Sequence, residues 1–168
     1  MSDLGDVTDT RRILEEIQRQ LMEQARAVYS AQVVEHAYNP RNLGRIERPD
    51  TYAIMHGWCG DTMEIYLQLD KKRINEEIIT QAGFVTDGCG PSIASGSMLT
   101  TMVQGISLEE AGLIEPEDLL DALGGLPEET THCAYLAVDT LRKSIATWYR
   151  SVRARDKETD GQASIDKR

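Results

Sequence analysis

The sequence predicts an α+β domain: a long N-terminal helix, a small antiparallel sheet, and further helices packed on it. Two observations carry this. Apolar residues recur at three- and four-residue spacing before about residue 36 and again after residue 92, whereas between residues 51 and 85 the period is two. The strands follow one another without intervening helices, the signature of α+β rather than βαβ architecture. A length of 168 residues suits one compact core with appendages.

The first element spans Thr10 to about His36, where Ile13, Leu14, Ile17, Leu21, Ala25, Val28 and Val33/Val34 form one face of a single long amphipathic helix. It stops at Asn39-Pro40-Arg41-Asn42, because proline pushes the preceding residue out of the α region and asparagine favours turns. A loop follows to about Asp50. Met63, Ile65, Leu67 and Leu69 then alternate with Glu64, Tyr66, Gln68 and Asp70, as on a half-buried strand. Asp70-Lys71-Lys72-Arg73 reads as a polar turn before a strand over Ile78 to Val85.

After Gly88-Cys89-Gly90, Pro91 or Ser92 opens a helix carrying Ile93, Ala94, Met98, Leu99 and Met102, which ends near Gly105. Residues 105–130 hold eight acidic side chains and no Lys or Arg, and predict short helices with solvated acidic faces. Thr130 or Thr131 caps a last helix running to about Val152 through Tyr135, Leu136, Val138, Leu141, Ile145 and Trp148. Arg153 to Arg168 is charged and poor in apolar residues, and reads as a flexible tail.

Lys and Arg number 18 against 28 Asp and Glu, a net charge of −10 that argues against binding nucleic acid or an anionic membrane by general charge attraction. The longest apolar run, Ala134 to Val138, is far below the ~20 residues that span a bilayer. The polar start offers no signal-peptide core, so a cytoplasmic location is expected. Three cysteines, an odd number, disfavour a disulfide framework and leave thiol chemistry, metal ligation or burial.

Cys59, in Trp58-Cys59-Gly60-Asp61, sits between the first and second strands, where flanking glycines let the backbone turn and present the thiol. A thiolate and a carboxylate two residues apart can face one centre, and thiolates select zinc, copper(I) or iron-sulfur clusters; a small buried hydrophobe is the competing role. Cys89 precedes a helix and Cys133 lies just inside one, so the helix N-terminal field is expected to favour both thiolates. His132 adjoins Cys133 and can ligate metal or exchange protons. His36 and His56 have no neighbouring thiol and read as helix-surface or strand-packing residues. The cysteines are 30 and 44 residues apart, unlike the paired knuckles of closed zinc sites, so a site gathered from three loops would be open. Three thiolates with Asp61 or His132 as a labile fourth ligand suit a centre that is built and then released.

From about Tyr29 to Arg150 the chain resembles the U-type iron-sulfur cluster assembly scaffolds, the IscU/NifU N-terminal family. His36-Ala37-Tyr38-Asn39-Pro40-Arg41-Asn42 is similar to the family's H-x-x-N-P-R-N, Cys59-Gly60-Asp61 to its C-G-D, and Gly88-Cys89 through Ile93-Ala94-Ser95 to its G-C-x-x-x-I-A-S. Leu126-Pro127 with His132-Cys133 is similar to its L-P…H-C, in the same order and at matching intervals. The resemblance implies a three-stranded antiparallel sheet with helices packed on it and the cysteines at one end. It makes residues 29–152 the scaffold domain, with a helical extension before it and the charged tail after it. It implies Cys59, Cys89 and Cys133 as ligands of a [2Fe-2S] cluster, Asp61 or His132 as the fourth, and Cys133 as acceptor of persulfide sulfur from a cysteine desulfurase. Iron joins the sulfur, the cluster passes to recipient apoproteins, and zinc can occupy the same ligands in purified protein.

Where many members read L-P-P-V-K, this chain has Leu126-Pro127-Glu128-Glu129-Thr130, so recognition by a dedicated Hsp70-type chaperone is not carried over. The apolar stripe of the N-terminal helix predicts packing on the domain or self-association as a homodimer. The enzyme-class alternative is a zinc-dependent sulfur acceptor of the SufU type, in which zinc fixes the same thiols and one of them ferries sulfur; the roughly 20-residue insertion associated with that branch is lacking here. A third alternative is a structural zinc or thiol-free interaction domain.

Overall fold

The structure is a computed structural model, which describes residues 5–73 and 76–165. Its elements in order are α1 (Gly5–Val28), α2 (Ala31–Tyr38), β1 (Thr51–His56), β2 (Thr62–Arg73), β3 (Glu76–Thr86), α3 (Gly90–Met102), α4 (Leu108–Gly112), α5 (Pro116–Leu123), a 3-10 turn at Glu128–Thr130, and α6 (His132–Ile165). The sheet is antiparallel in the order β1-β2-β3. This is the α+β architecture expected from the change of period.

The helix expected to run unbroken from Thr10 to His36 is two helices. Ser30 takes an extended conformation as N-cap of α2, and its oxygen accepts from Val33 N at 3.1 Å. The same hydroxyl donates to the Leu123 carbonyl at the end of α5, which fixes the break against the domain. The apolar spacing passes through the break because each helix has its own apolar face, and spacing alone does not register a change of axis. α1 leaves Ile13, Leu14, Ile17, Leu21 and Val28 exposed.

On β2, Met63, Ile65, Leu67 and Leu69 are buried against the helices as the alternation requires. The opposite face is less open than alternation alone suggests. Glu64 and Tyr66 are also buried there, because the loop after α2 lays Arg45 across them: Arg45 donates to both Glu64 oxygens at 3.0 and 2.9 Å, and the Tyr66 hydroxyl donates to Glu64. Tyr52 stacks on Tyr66 with centroids 5.6 Å apart. The polar turn expected at Asp70–Arg73 is strand instead; β2 continues to Arg73 with Arg73 opposite Glu76.

The same loop closes one edge of the sheet. Asn42, at a left-handed φ of 62°, directs its carbonyl to Phe84 N at 3.0 Å, Gly44 N donates to Phe84 O at 2.7 Å, and Leu43 forms a parallel bridge with Phe84. Farther along β3, Ile79 exchanges hydrogen bonds with Ile106 and Gly105. On the opposite edge, Lys143 Nζ donates to the Ile54 carbonyl at 2.8 Å.

α3 lies at the centre, with Ala94, Ser95, Gly96, Ser97, Leu99 and Thr100 all buried. Gly96 permits the close approach to β3, since a Cβ there would stand 2.3 Å from the Phe84 ring. In the acid-rich stretch, Glu109, Glu110, Glu117 and Asp118 occupy the first turns of α4 and α5, where carboxylates complement the helix dipole. Capping boxes pair Ser107 with Glu110 and Glu115 with Asp118. α6 buries Ala134, Ala137, Val138, Leu141, Ile145 and Trp148 and continues to Ile165, beyond the end expected near Val152. No helix among the described residues is long and apolar enough to cross a membrane.

Candidate metal centre

Three segments meet at one end of the sheet. The β1–β2 loop turns tightly, with Gly57 N donating to Asp61 O at 2.8 Å, Gly60 N donating to Gly57 O at 3.0 Å, and Gly60 at a φ of 95°. Cys59 is exposed on this loop and Asp61 closes it. The β3–α3 connection is tied to the loop's end: Thr62 N donates to Asp87 Oδ1 at 2.6 Å, and Thr86 Oγ1 donates to Thr62 O at 2.7 Å. Cys89 is the N-cap of α3, exposed, with its side chain making no capping bond. Cys133 is the second residue of α6 and is fully buried.

Asp61, Cys89 and Cys133 come together, with one ligand atom from each lying within 4.8 Å of the others. Among the described residues this is the single group of His, Cys, Asp and Glu so arranged. The Cys59 sulfur is not within that distance of all three. Cys59 nevertheless belongs to the same end of the molecule, two residues from Asp61, where its sulfur would stand 3.2 Å from a Cβ built on Gly57. His132 Nε2 is 3.6 Å from Cys133 Sγ, and its ring lies against Trp58, centroids 4.8 Å apart. The three loops foreseen from the cysteine spacing therefore converge, with Asp61 in the triad and His132 at its margin.

Cys133 departs from the low-pKa expectation. Burial, as the largest cause, pushes its thiol up to about 12; the Ser92 hydrogen bond opposes this, and the neighbouring Cys89 and Asp61 reinforce it. Desolvation outweighs the helix N-terminus because the sulfur has no exposure and faces two groups of its own charge sign. Without a cation, Cys133 is a thiol at neutral pH. A metal bound at the triad would reverse this, since coordination deprotonates a thiol outright.

Two residues of the site were missed as such by sequence reasoning. Ser92, read only as a helix opener, is fully buried at the centre of the triad; its hydroxyl donates to Asp61 Oδ2 at 2.6 Å and lies 3.3 Å from Cys133 Sγ. Gly88, read as part of a tight turn, leaves room for the carboxylate: a Cβ there would stand 2.3 Å from Asp61 Oδ2. His36 is buried rather than on the surface, with Nδ1 at 2.7 Å from Ser97 Oγ. His56 is exposed beside Thr62, its Nδ1 3.0 Å from Oγ1.

An apolar groove of about 290 Å³ opens beside Cys89, lined by Tyr29, Val33, Ala37, Tyr38 and Pro91. Burial first, then the neighbouring Cys89, Glu129 and Cys133, push the Tyr29 phenol above its ordinary value.

Two cysteine sulfurs and a carboxylate this close together could hold a metal ion. Residues 28–155 match the family described as NifU-like N terminal domain. The chain belongs to this NifU-like family. It is 40% identical over 124 residues to the iron-sulfur cluster assembly scaffold protein IscU 1 of Archaeoglobus fulgidus, covering 73% of this chain and 78% of that one. To the scaffold protein IscU of Escherichia coli it is 38% identical over 129 residues, covering 74% and 96%. The crystal structure of a NifU-like N-terminal protein from Brucella abortus shares the fold, with a TM-score of 0.57 at 20% identity over 73% of this chain and 95% of that one. The NifU-like match begins at Val28, the last residue of α1, so most of α1 lies outside it.

Proposed function

We propose that the chain is a non-catalytic scaffold on which a [2Fe-2S] cluster is assembled from iron and persulfide sulfur and from which it is handed to recipient apoproteins. The observation that carries this is the Asp61–Cys89–Cys133 triad within 4.8 Å, at a junction of loops. The names of the scaffold relatives support it. Cys59, Cys89 and Cys133 serve as ligands, with Asp61 or His132 as the fourth. A carboxylate binds iron but leaves more readily than a thiolate, so the cluster is held by a ligand set suited to release.

Sulfur arrives as a persulfide on a cysteine desulfurase. A thiolate of this chain attacks the outer sulfur; the donor's S–S bond breaks, a new one forms, and the desulfurase leaves as thiolate with no net change of oxidation state. Reduction of the transferred sulfur to sulfide takes two electrons from a donor outside the chain. Cys133 is the final acceptor in this reading, but it is fully buried, so the site has to open before a donor reaches it. The exposed thiols of Cys59 and Cys89 meet the donor earlier, and the apolar groove beside Cys89 gives a partner's loop a path to the site.

α1 fits the homodimer reading. Its charged side chains Glu16, Arg19 and Glu23 pair with one another on the face away from the stripe. Gln18, Gln20 and Gln24 lie beside or within the stripe and add no charge to it.

Anaerobic reconstitution with cysteine desulfurase, cysteine and ferrous iron tests the scaffold reading. It predicts visible sulfur-to-iron charge-transfer absorption that is lost in Cys89→Ser, followed by transfer to an apo-ferredoxin. The second reading, a zinc-dependent sulfur acceptor, has one observation in its favour: two cysteines, an aspartate and a nearby histidine match the donor types of a four-coordinate zinc site. Tightly held zinc that resists iron under the same conditions would favour it.

A further inference from the structure

Ser92 is the N3 residue of α3, a position from which a polar side chain often turns back to the N-cap. Here it does not. Its hydroxyl points into the triad, 2.6 Å from Asp61 Oδ2, 3.3 Å from Cys133 Sγ and 4.0 Å from Cys89 Sγ. A hydroxyl has one proton, and the short charge-assisted bond to the carboxylate takes it. The longer contact with Cys133 Sγ shares the same donor, so the carboxylate is the hydroxyl's main partner. Gly88 holds this arrangement from the other side, because a Cβ there would stand 2.3 Å from Asp61 Oδ2 and 2.6 Å from Ser92 Oγ. The carboxylate is thus gripped between a hydroxyl and a backbone that admits no side chain.

We propose that Ser92 is a positioning residue: its hydroxyl fixes the Asp61 carboxylate toward the two sulfurs and so sets how tightly the site retains a metal. The inference rests on the metal-site reading above and assigns the grip on the labile ligand to a residue that is not itself a ligand. Partners of this kind orient the ligating group, and their loss typically weakens metal binding by roughly 10–100-fold.

The test uses the full chain as wild type, Ser92→Ala, Asp61→Ala and the double variant. Zinc affinity is measured by competition with a chromophoric chelator, and the cobalt(II) absorption spectrum reports ligand geometry. Alanine is the best helix former, so Ser92→Ala keeps α3, which far-UV circular dichroism verifies. The expected result is a loss of roughly 10–100-fold in zinc affinity for Ser92→Ala, a cobalt spectrum shifted toward that of Asp61→Ala, and no further loss in the double variant. Gly88→Ala, which crowds the same carboxylate oxygen, weakens binding in the same direction. Zinc affinity of Ser92→Ala within twofold of wild type overturns the proposal. So does an equal loss in the Asp61→Ala background, since Ser92 would then not act through Asp61. A wild-type chain that binds neither zinc nor cobalt overturns the metal-site reading itself and this inference with it.

Discussion

The Trp58 indole lies against the His132 imidazole, with ring centroids 4.8 Å apart and planes inclined by 54°. This contact joins the loop that carries Cys59 and Asp61 to the first turn of α6, which carries Cys133. Trp58 is 84% exposed, so little apolar burial anchors it and the ring contact itself does the latching.

Removing the latch should expose the buried sulfur. An aromatic pair is worth about 0.5–1.5 kcal/mol beyond burial, which converts to a rise of about 2- to 12-fold in loop opening. In metal-free Trp58→Ala, iodoacetamide should label Cys133 faster by that factor at fixed pH, read by peptide mass spectrometry. Unchanged labelling would mean that the loop is held by its backbone bonds to Asp61 and Asp87 instead.

His36 predicts a loss of stability in mild acid. Burial, then the Arg41 guanidinium, holds its imidazole below the ordinary histidine value of about 6.5. The unfolded chain therefore takes up a proton on this residue at a pH where the folded chain does not, so stability fully present above about pH 6.5 is lost as pH falls below that value and through the lower value of the folded chain. His36→Gln should flatten this limb between pH 6.5 and 5 in urea unfolding curves, at some cost in stability at neutral pH from the altered contact with Ser97. An acid limb of unchanged slope would place the titrating group elsewhere.

Gly96→Ala should destabilise the domain although alanine favours helix. The propensity gain is about 1 kcal/mol. The new Cβ would fall 2.3 Å from the Phe84 ring on a buried face, and such overpacking costs about 1–3 kcal/mol or more. The thermal midpoint should drop by several degrees; a rise would show that α3 and β3 can separate freely.

Charge on the α1 stripe tests the homodimer. Ile17→Glu combined with Leu21→Glu alters two exposed side chains and no core residue. In the homodimer reading it converts a dimer to a monomer by sedimentation velocity, with the metal site unaffected. A wild-type chain that sediments as a monomer at high micromolar concentration would remove the reading.

The parts legible in the sequence were those set by period and by strong local signals. Met63, Ile65, Leu67 and Leu69 alternate and are buried, and Gly90-Pro91 marks the start of α3 directly after Cys89. Cys89, Cys133 and Asp61, all named by the family motifs, lie together, whereas the Cys59 sulfur, expected with them, stands outside that triad. The rest depended on tertiary context. The α1–α2 break needs the Leu123 carbonyl that Ser30 meets, and the burial of Glu64 needs Arg45 from a distant loop. The raised Cys133 pKa depends on three segments closing over the sulfur, which a local reading of helix position cannot register.

The bridging of Leu43 to Phe84 and of Ile79 to the segment after α3 leaves β3 without a run of vacant backbone groups. On β1 the ammonium of Lys143 already occupies the Ile54 carbonyl. A foreign strand seeking to extend the sheet meets an occupied border on one side and a positive charge on the other, so templated fibril growth is opposed at both margins.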